Sequence, residues 1–267
     1  MRGFTPRRGL GHPAASLVWR LLVCAFGLVA FSGVSIENAA RVHVAGMIVD
    51  RDSGHPIAGA TVEARDENGA PVFAQTRSMR DGVYVLPLRN QEKALLVVTA
   101  AGNYPAFHAL VDPSREDRVA IVALSKVSAD ESAWLRRINH DRAARHLGAL
   151  VMDESALLAA REHAADMAQY GYFRHTDRSG KAPWQRYFGF FGIGQDYENI
   201  AVAQGVGWSQ IESSFLAEGP RNGMATHYSN LFNPKALWAG VAIAHGAPHW
   251  MASGAADYFD QELIAYP

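Results

Sequence analysis

From Val42 onward the chain alternates apolar and polar positions in short runs, and from Ser128 the spacing of apolar residues changes to that of helices. VHVAGMIVD at Val42–Asp50 alternates and is followed by turn signals at Asp52-Ser53-Gly54, at Gly59 and at Glu67-Asn68-Gly69. Further strands are predicted at Val83–Leu88, Ala94–Ala100 and Arg118–Leu124. Short strands punctuated by Gly, Pro and Asn predict a small all-β sandwich over residues 42–126. Asp50, Asp52, Asp66 and Asp81 read as turn formers, through hydrogen bonds from backbone to side chain.

Beyond the junction Lys126–Asp130 the pattern is α+β over residues 128–267, and so short a connection predicts that the two domains touch. Asp130 can cap a helix carrying Trp134, Leu135 and Ile138 and ended by Gly148. Asp153 can cap a second, with Leu157, Ala160, Ala164, Met167 and Ala168 on one face and Gly171 at its end. The aromatic run Pro183–Phe191 predicts a short helix or turn. Gly207–Gly219 holds another helix, in which Trp208, Ile211, Phe215 and Glu218 fall on one stripe while Glu212 lies round the helix and is expected in solvent. Two apolar strands, Leu237–Ala244 and His249–Phe259, are expected to be joined by a turn at Gly246–Pro248.

Composition narrows the function. Lys and Arg total 25 against 26 Asp and Glu, so nothing suggests the basic face of a nucleic-acid partner. Arg2, Arg7, Arg8 and Arg20, the uncharged run Leu21–Ile36 and the small residues at Ala39-Ala40 read as a cleaved export signal over residues 1–40. An uncleaved anchor is the alternative, although the run falls short of the roughly 17–25 residues that span a bilayer. Cys24 is the only cysteine, and cleavage would remove it. The mature chain would then have neither disulfides nor a thiolate for catalysis or zinc.

The candidate chemistry lies in His175, Glu198, Glu218 and His227, two imidazoles and two carboxylates that could hold a divalent cation or perform acid–base work. Glu218 sits on the core-facing stripe of its helix, where a carboxylate needs a partner. His175 follows a helix end, and Glu198 opens an apolar strand, a position that demands either the solvent rim or a cationic partner. Asn199 is expected to fix backbone and His163 to be structural. No zinc-protease helix, nucleophile elbow, phosphate loop or dinucleotide fingerprint is present. Ser213, Ser214 and Ser229 read as helical or capping serines, and no catalytic residue is assigned.

The segments around those four residues are GYFRHT (171–176), YENIA (197–201), FLAEGP (215–220) and THYSNLFNP (226–234). Together with WLRRINHDRAARHLGAL (134–150) and ALLAAREHAADMAQYGYFRH (156–175), they resemble the CAP superfamily of cysteine-rich secretory and pathogenesis-related proteins, in its bacterial form. Tyr197 and Thr226 stand where that family usually has glycine. The resemblance implies an α–β–α sandwich in which His175, Glu198, Glu218 and His227 line one cavity. It further implies a divalent metal, zinc or calcium, on His175 and His227. The G-x-I-V-D, S-G-x-P-I-A-G-A-T-V and D-G-V-Y segments of the first domain resemble the carboxypeptidase-regulatory-like (transthyretin-like) sandwiches. The expectation is an exported, secreted or periplasmic binding protein that takes a metal and a small-molecule, lipid or envelope ligand. The alternatives are a metal-assisted hydrolase of peptide or envelope polymer, and a structural adhesion module.

Overall fold

The structure is a computed structural model describing residues 42–67, 69, 72–88, 93–112, 121–190, 192–221, 224–248 and 254–266. The expected export segment lies outside these residues, as do residues 118–120 of the last expected β-strand of the first half and His249.

Seven strands make up the N-terminal half: β1 (Val42–Asp50), β2 (Thr61–Arg65), β3 (Val72–Arg77), β4 (Val83–Leu88), β5 (Ala94–Thr99), β6 (Phe107–Val111) and β7 (Ile121–Leu124). They form two sheets, ordered β4-β1-β7 and β3-β2-β5-β6. The period-two pattern explains why the sheets share one core: Tyr84, Leu86 and Leu88 of β4 turn inward with Ile48, Val62, Leu96 and Val98. Asp50 and Asp81 act as the turn formers expected of them. The Oδ1 of Asp50 accepts the Ser53 amide at 2.9 Å, and that of Asp81 accepts the Val83 amide at 3.1 Å.

The C-terminal half contains α1 (Ala129–Ala143), β8 (Val151–Met152), α2 (Glu154–Tyr170), α3 (Pro183–Gly189), β9 (Gln195–Ala203), α4 (Trp208–Ala217), α5 (His227–Leu231), β10 (Ala236–Pro248) and β11 (Ala255–Ala265). Its sheet runs β8-β10-β11-β9, which leaves β9 on an edge. Alternation along β10 and β11 sends Ala239, Val241, Phe259 and Leu263 toward Trp134 of α1 and Ile211 and Phe215 of α4. The opposite register sends Ala242 toward Ala160 and Ala164 of α2, and Tyr258 toward Met167 and Ala168 of the same helix. Helices therefore cover both faces of the sheet, a mixed α/β arrangement consistent with a CAP-type α–β–α fold. Among the described residues no helix is long and apolar enough to cross a membrane.

Asp153 caps α2 through the Ala156 amide, and Gly171 ends that helix with φ at 65°. Three local expectations are corrected. Ser128, not Asp130, caps α1, because Glu131 reaches back to the Ser128 amide and completes a capping box. That helix stops at Ala143, short of Gly148, where the Arg142 guanidinium turns to bind the Gly148 carbonyl at 2.8 Å. No turn forms at Gly246–Pro248; β10 pairs with β11 through it. The β11 strand also runs past Phe259 to Ala265, since buried Asp260 bonds His163, Gln261 bonds Asn199 and Glu212, and Glu262 lies 3.8 Å from the Arg186 guanidinium.

The halves touch, and Arg41–Pro267 form one compact unit. The buried Glu154 carboxylate accepts the Ser125 amide and hydroxyl, each at 2.8 Å, and Arg51 Nε at 2.9 Å. His108 of β6 bonds Asp153 at 2.9 Å and stacks on Trp238 of β10 at 4.1 Å. Leu95 and Val97 extend this contact as an apolar patch against Trp238 and Ile264.

Helix α2 lies so close on the sheet that a Cβ on Gly240 would stand 2.1 Å from the Ala156 carbonyl carbon. Backbone cannot move aside as a flexible side chain can. Gly240→Ala is expected to cost about 1–3 kcal/mol through overpacking, read as a lower Tm with the fold retained. An unchanged Tm would mean that the helix can lift off the sheet freely.

Candidate functional site

Edge strand β9 supplies the centre of the site. Glu198 lies in the middle of this strand rather than at its start, and its carboxylate turns toward α2, where it is buried. After α2 stops at Gly171, the chain brings His175 back over β9, and His175 Nδ1 meets Glu198 Oε2 at 2.5 Å. Arg186 of α3 holds this turn by donating to the His175 carbonyl at 2.9 Å.

Glu218 is the C-cap of α4, one position beyond the helix. Its Oε1 meets His227 Nδ1 at 2.6 Å and its Oε2 accepts the His227 amide at 3.1 Å. His227 opens α5 directly, and its ring stacks on Phe215 with centroids 4.3 Å apart. Asn199 donates to the His227 carbonyl at 3.2 Å and accepts from Asn230 at 2.8 Å, locking α5 against β9. The structure thus brings His175, Glu198, Glu218 and His227 to one open cleft of about 430 Å³, with Arg221 and Met224 on its lip.

Each imidazole has its Nδ1 engaged by a carboxylate, so Nε2 of each ring is the nitrogen available to a cation. The bond to Glu198 raises the His175 pKa above its ordinary value, against the opposing effect of burial.

Behind Glu198 lies a buried charge network. Glu198 Oε1 is bound by the Arg186 guanidinium and lies 2.9 Å from His163 Nδ1, which also meets Asp260 at 2.8 Å. Glu262, 3.8 Å from the Arg186 guanidinium, and the neighbouring Asp196 complete the group. Two cations thus face four carboxyl groups. Burial opposes charge on His163, but its hydrogen bonds to Asp260 and Glu198 prevail and raise it to about 9. Burial, reinforced by the Glu198 charge, raises Asp260 to about 7. Burial also raises Asp196 to about 6 and puts Glu262 well above the usual carboxylate range. Glu198 itself is held below that range, since its bonds to His163 and His175 outweigh its burial.

His163, Glu198 and Asp260 offer three ligand atoms within 4.8 Å of one another, a set that could hold a metal ion. Arg186 lies 3.1 Å from His163 Nδ1, so in this structure a guanidinium already serves as the neutralising cation.

Sequence reasoning did not find Arg186, Asp260 or Glu262, and it placed Glu212 in solvent. Glu212 is wholly buried and accepts Trp134 Nε1 at 2.8 Å and Gln261 Nε2 at 2.7 Å. The available signal was the polar triplet Asp260-Gln261-Glu262 inside an apolar run, which a strand tolerates only with internal partners.

Residues 135–258 match the CAP family, described as the cysteine-rich secretory protein family, so the chain carries a CAP domain there. No curated protein matches at a significant level. Among solved structures, an outer surface protein of Borrelia burgdorferi is 17% identical, with 51% of this chain and 92% of that one covered at a TM-score of 0.40. An extracellular protein containing an SCP domain from Bacillus anthracis is 15% identical, with 89% of this chain and 100% of that one covered at a TM-score of 0.39. A streptococcal ancillary pilin is 17% identical over 33% of this chain and 30% of its own, at a TM-score of 0.27.

His163, Asp196, Asp260 and Glu262 bind protons more tightly in the folded than in the unfolded chain, whereas Glu198 binds its proton less tightly, an effect felt only at acid pH. For His163, a base with a raised pKa, the stability contribution is full below about 6.5 and lost as pH rises through about 9. For Asp196 and Asp260, acids with raised pKa, stability falls as pH rises toward about 6 and 7 respectively. The signs agree, so Tm should decline between about pH 6 and 9, and Asp260→Asn should flatten the decline. Differential scanning fluorimetry across that range checks this; a rising Tm would reverse the assignment of protons.

Proposed function

We propose that the cleft holds a divalent cation, zinc or calcium, on Nε2 of His175 and of His227, and that the protein binds rather than turns over its ligand. The observation that carries this reading is the pairing of each ring with its own carboxylate, His175 with Glu198 and His227 with Glu218. A carboxylate on Nδ1 fixes the tautomer, orients the ring and raises its basicity toward a metal. Water or the ligand would complete the shell, since two imidazoles leave positions open. Arg221 and Met224 on the lip put a cation beside an apolar surface, which suits a small or lipidic ligand with an anionic end.

Binding is favoured over serine-based hydrolysis by the local hydroxyls. Ser213 and Ser214 donate to carbonyls one turn back, at 2.8 and 3.0 Å, and Ser229 is taken up in capping α5 with Thr226. The export signal over residues 1–40 and an extracytoplasmic location belong to the same reading. So does the identity of the N-terminal sheets as a carboxypeptidase-regulatory-like domain over residues 42–126, with the CAP domain extending over residues 128–267. The two sheets around one core in residues 42–124 support the former.

Zinc should bind weakly to the purified protein, and His175→Ala or His227→Ala should abolish that binding in calorimetry. Glu218→Gln should weaken it by roughly 10–100-fold, the usual cost of losing a carboxylate behind a ligand histidine. Affinity should fall as pH drops, beginning above the ordinary imidazole value because Glu198 raises His175. Equal zinc binding by wild type and both alanine variants would place the metal elsewhere.

A further inference from the structure

The sandwich of residues 42–124 has two outer faces, and they are finished differently. The outer face of sheet β3-β2-β5-β6 carries Glu63, Arg65, Gln75 and Arg77 along β2 and β3. Further across, its Leu95 and Val97 are buried against Trp238 and Ile264 of the C-terminal half.

The outer face of sheet β4-β1-β7 has neither finish. Its inward positions hold Ile48, Leu86 and Val122, so alternation turns the residues between them outward. Register sets those outward residues side by side: Ala45 pairs with Val85, Met47 with Val83 and Ile121, and Val49 with Ala123. None of these side chains is charged or carries a hydrogen-bonding nitrogen or oxygen. Val85 nevertheless stays 46% exposed and Ile121 39%. A sheet with one face in water normally places polar residues there, and a continuous apolar face marks a surface of association.

The face also says what suits it. It is flat and uncharged across three strands, so its partner must be flat and uncharged as well, and a second copy of this chain presents that surface. Among the described residues, the exposed charges at the end where β1 stops and β4 starts are Arg51, Asp52, Arg80 and Asp81. Two of each sign let like faces meet without net repulsion. Three strands at ~4.8 Å spacing and seven residues at ~3.3 Å rise make a face of about 14 by 23 Å. Two such faces remove about 600 Å² from water when stacked, short of the roughly 1,200–2,000 Å² of a stable interface. That size fits reversible association and not a permanent dimer. We propose that two copies of this chain associate reversibly through the β4-β1-β7 face, sheet stacked on sheet about a two-fold axis. The face is separate from the cleft, and its test does not depend on metal binding there.

The test is sedimentation velocity of the purified protein over a rising concentration series. A monomer–dimer equilibrium is expected, with a Kd of roughly 10 μM to 1 mM. Val85→Lys puts an unpaired charge at a half-exposed position of the face and should weaken dimerisation by more than about tenfold. Ile121→Lys should do the same, and it decides if Val85→Lys fails to fold by circular dichroism. Leu237→Lys makes the same change at a residue 44% exposed in the C-terminal half and should leave the equilibrium unaltered. A protein monomeric throughout the series, or a dimer that both face variants leave intact, would overturn the proposal. So would a monomer that binds phosphatidylcholine vesicles and loses them in Val85→Lys, since a lipid surface would then be the occupant.

Discussion

A carboxylate in the middle of a strand, with a helix packed over it, must be neutralised where it stands, and the cleft is arranged around how Glu198 meets that demand. One oxygen is held by Arg186 and His163, and the other reaches His175. Leaving such a charge unpaired in an interior costs several kcal/mol, so each partner is fixed by its bond as firmly as it fixes the carboxylate. Arg186 can approach because α3 folds back beneath the chain that follows α2, and the same guanidinium holds the His175 carbonyl. The exposed ring at the cleft is therefore anchored from below, with a buried ion network as its foundation.

That foundation carries more acid than base. Four carboxyl groups face two cations; burial, reinforced by neighbouring negative charge, raises Asp196, Asp260 and Glu262, while hydrogen bonds to His163 and His175 lower Glu198. The group nearest the cleft holds its charge more readily than the deeper groups do. This division follows from position: Glu198 has both histidines and the guanidinium, whereas Glu262 has only its carboxyl neighbours and a guanidinium nitrogen 3.8 Å away.

The close seating of α2 makes this possible and ties the N-terminal sheets to the site. Gly240 lets the helix backbone approach β10, which brings His163 within bonding distance of Asp260 on β11. The N-terminus of the same helix is clamped from the other half, with Asp153 bound by His108 and Glu154 by Ser125 and Arg51. The β-sheets of residues 42–124 thus brace the helix that leads into His175.

Local chemistry was legible along the chain. Alternating runs separated by Gly and Asn gave β1, β4 and β5 and overlapped β7, whereas β2, β3 and β6 were not expected; Asp153 and Gly171 marked both ends of α2, because caps and turns act within a few residues. The four segments around His175, Glu198, Glu218 and His227 pointed to one cavity, and the structure places all four on one cleft. What the sequence could not determine is which charges are buried. Glu212 looked solvated by helical phase, yet Trp134 and Gln261, distant in the chain, surround it. The expected strand stopped at Phe259, yet Asp260 bonds His163, Gln261 bonds Asn199 and Glu262 lies 3.8 Å from the Arg186 guanidinium, all brought by other elements. Periodicity reports how a residue suits its own helix or strand. Whether a carboxylate is tolerated inside depends on donors that only the packing of α2, α3 and α4 against the sheet delivers.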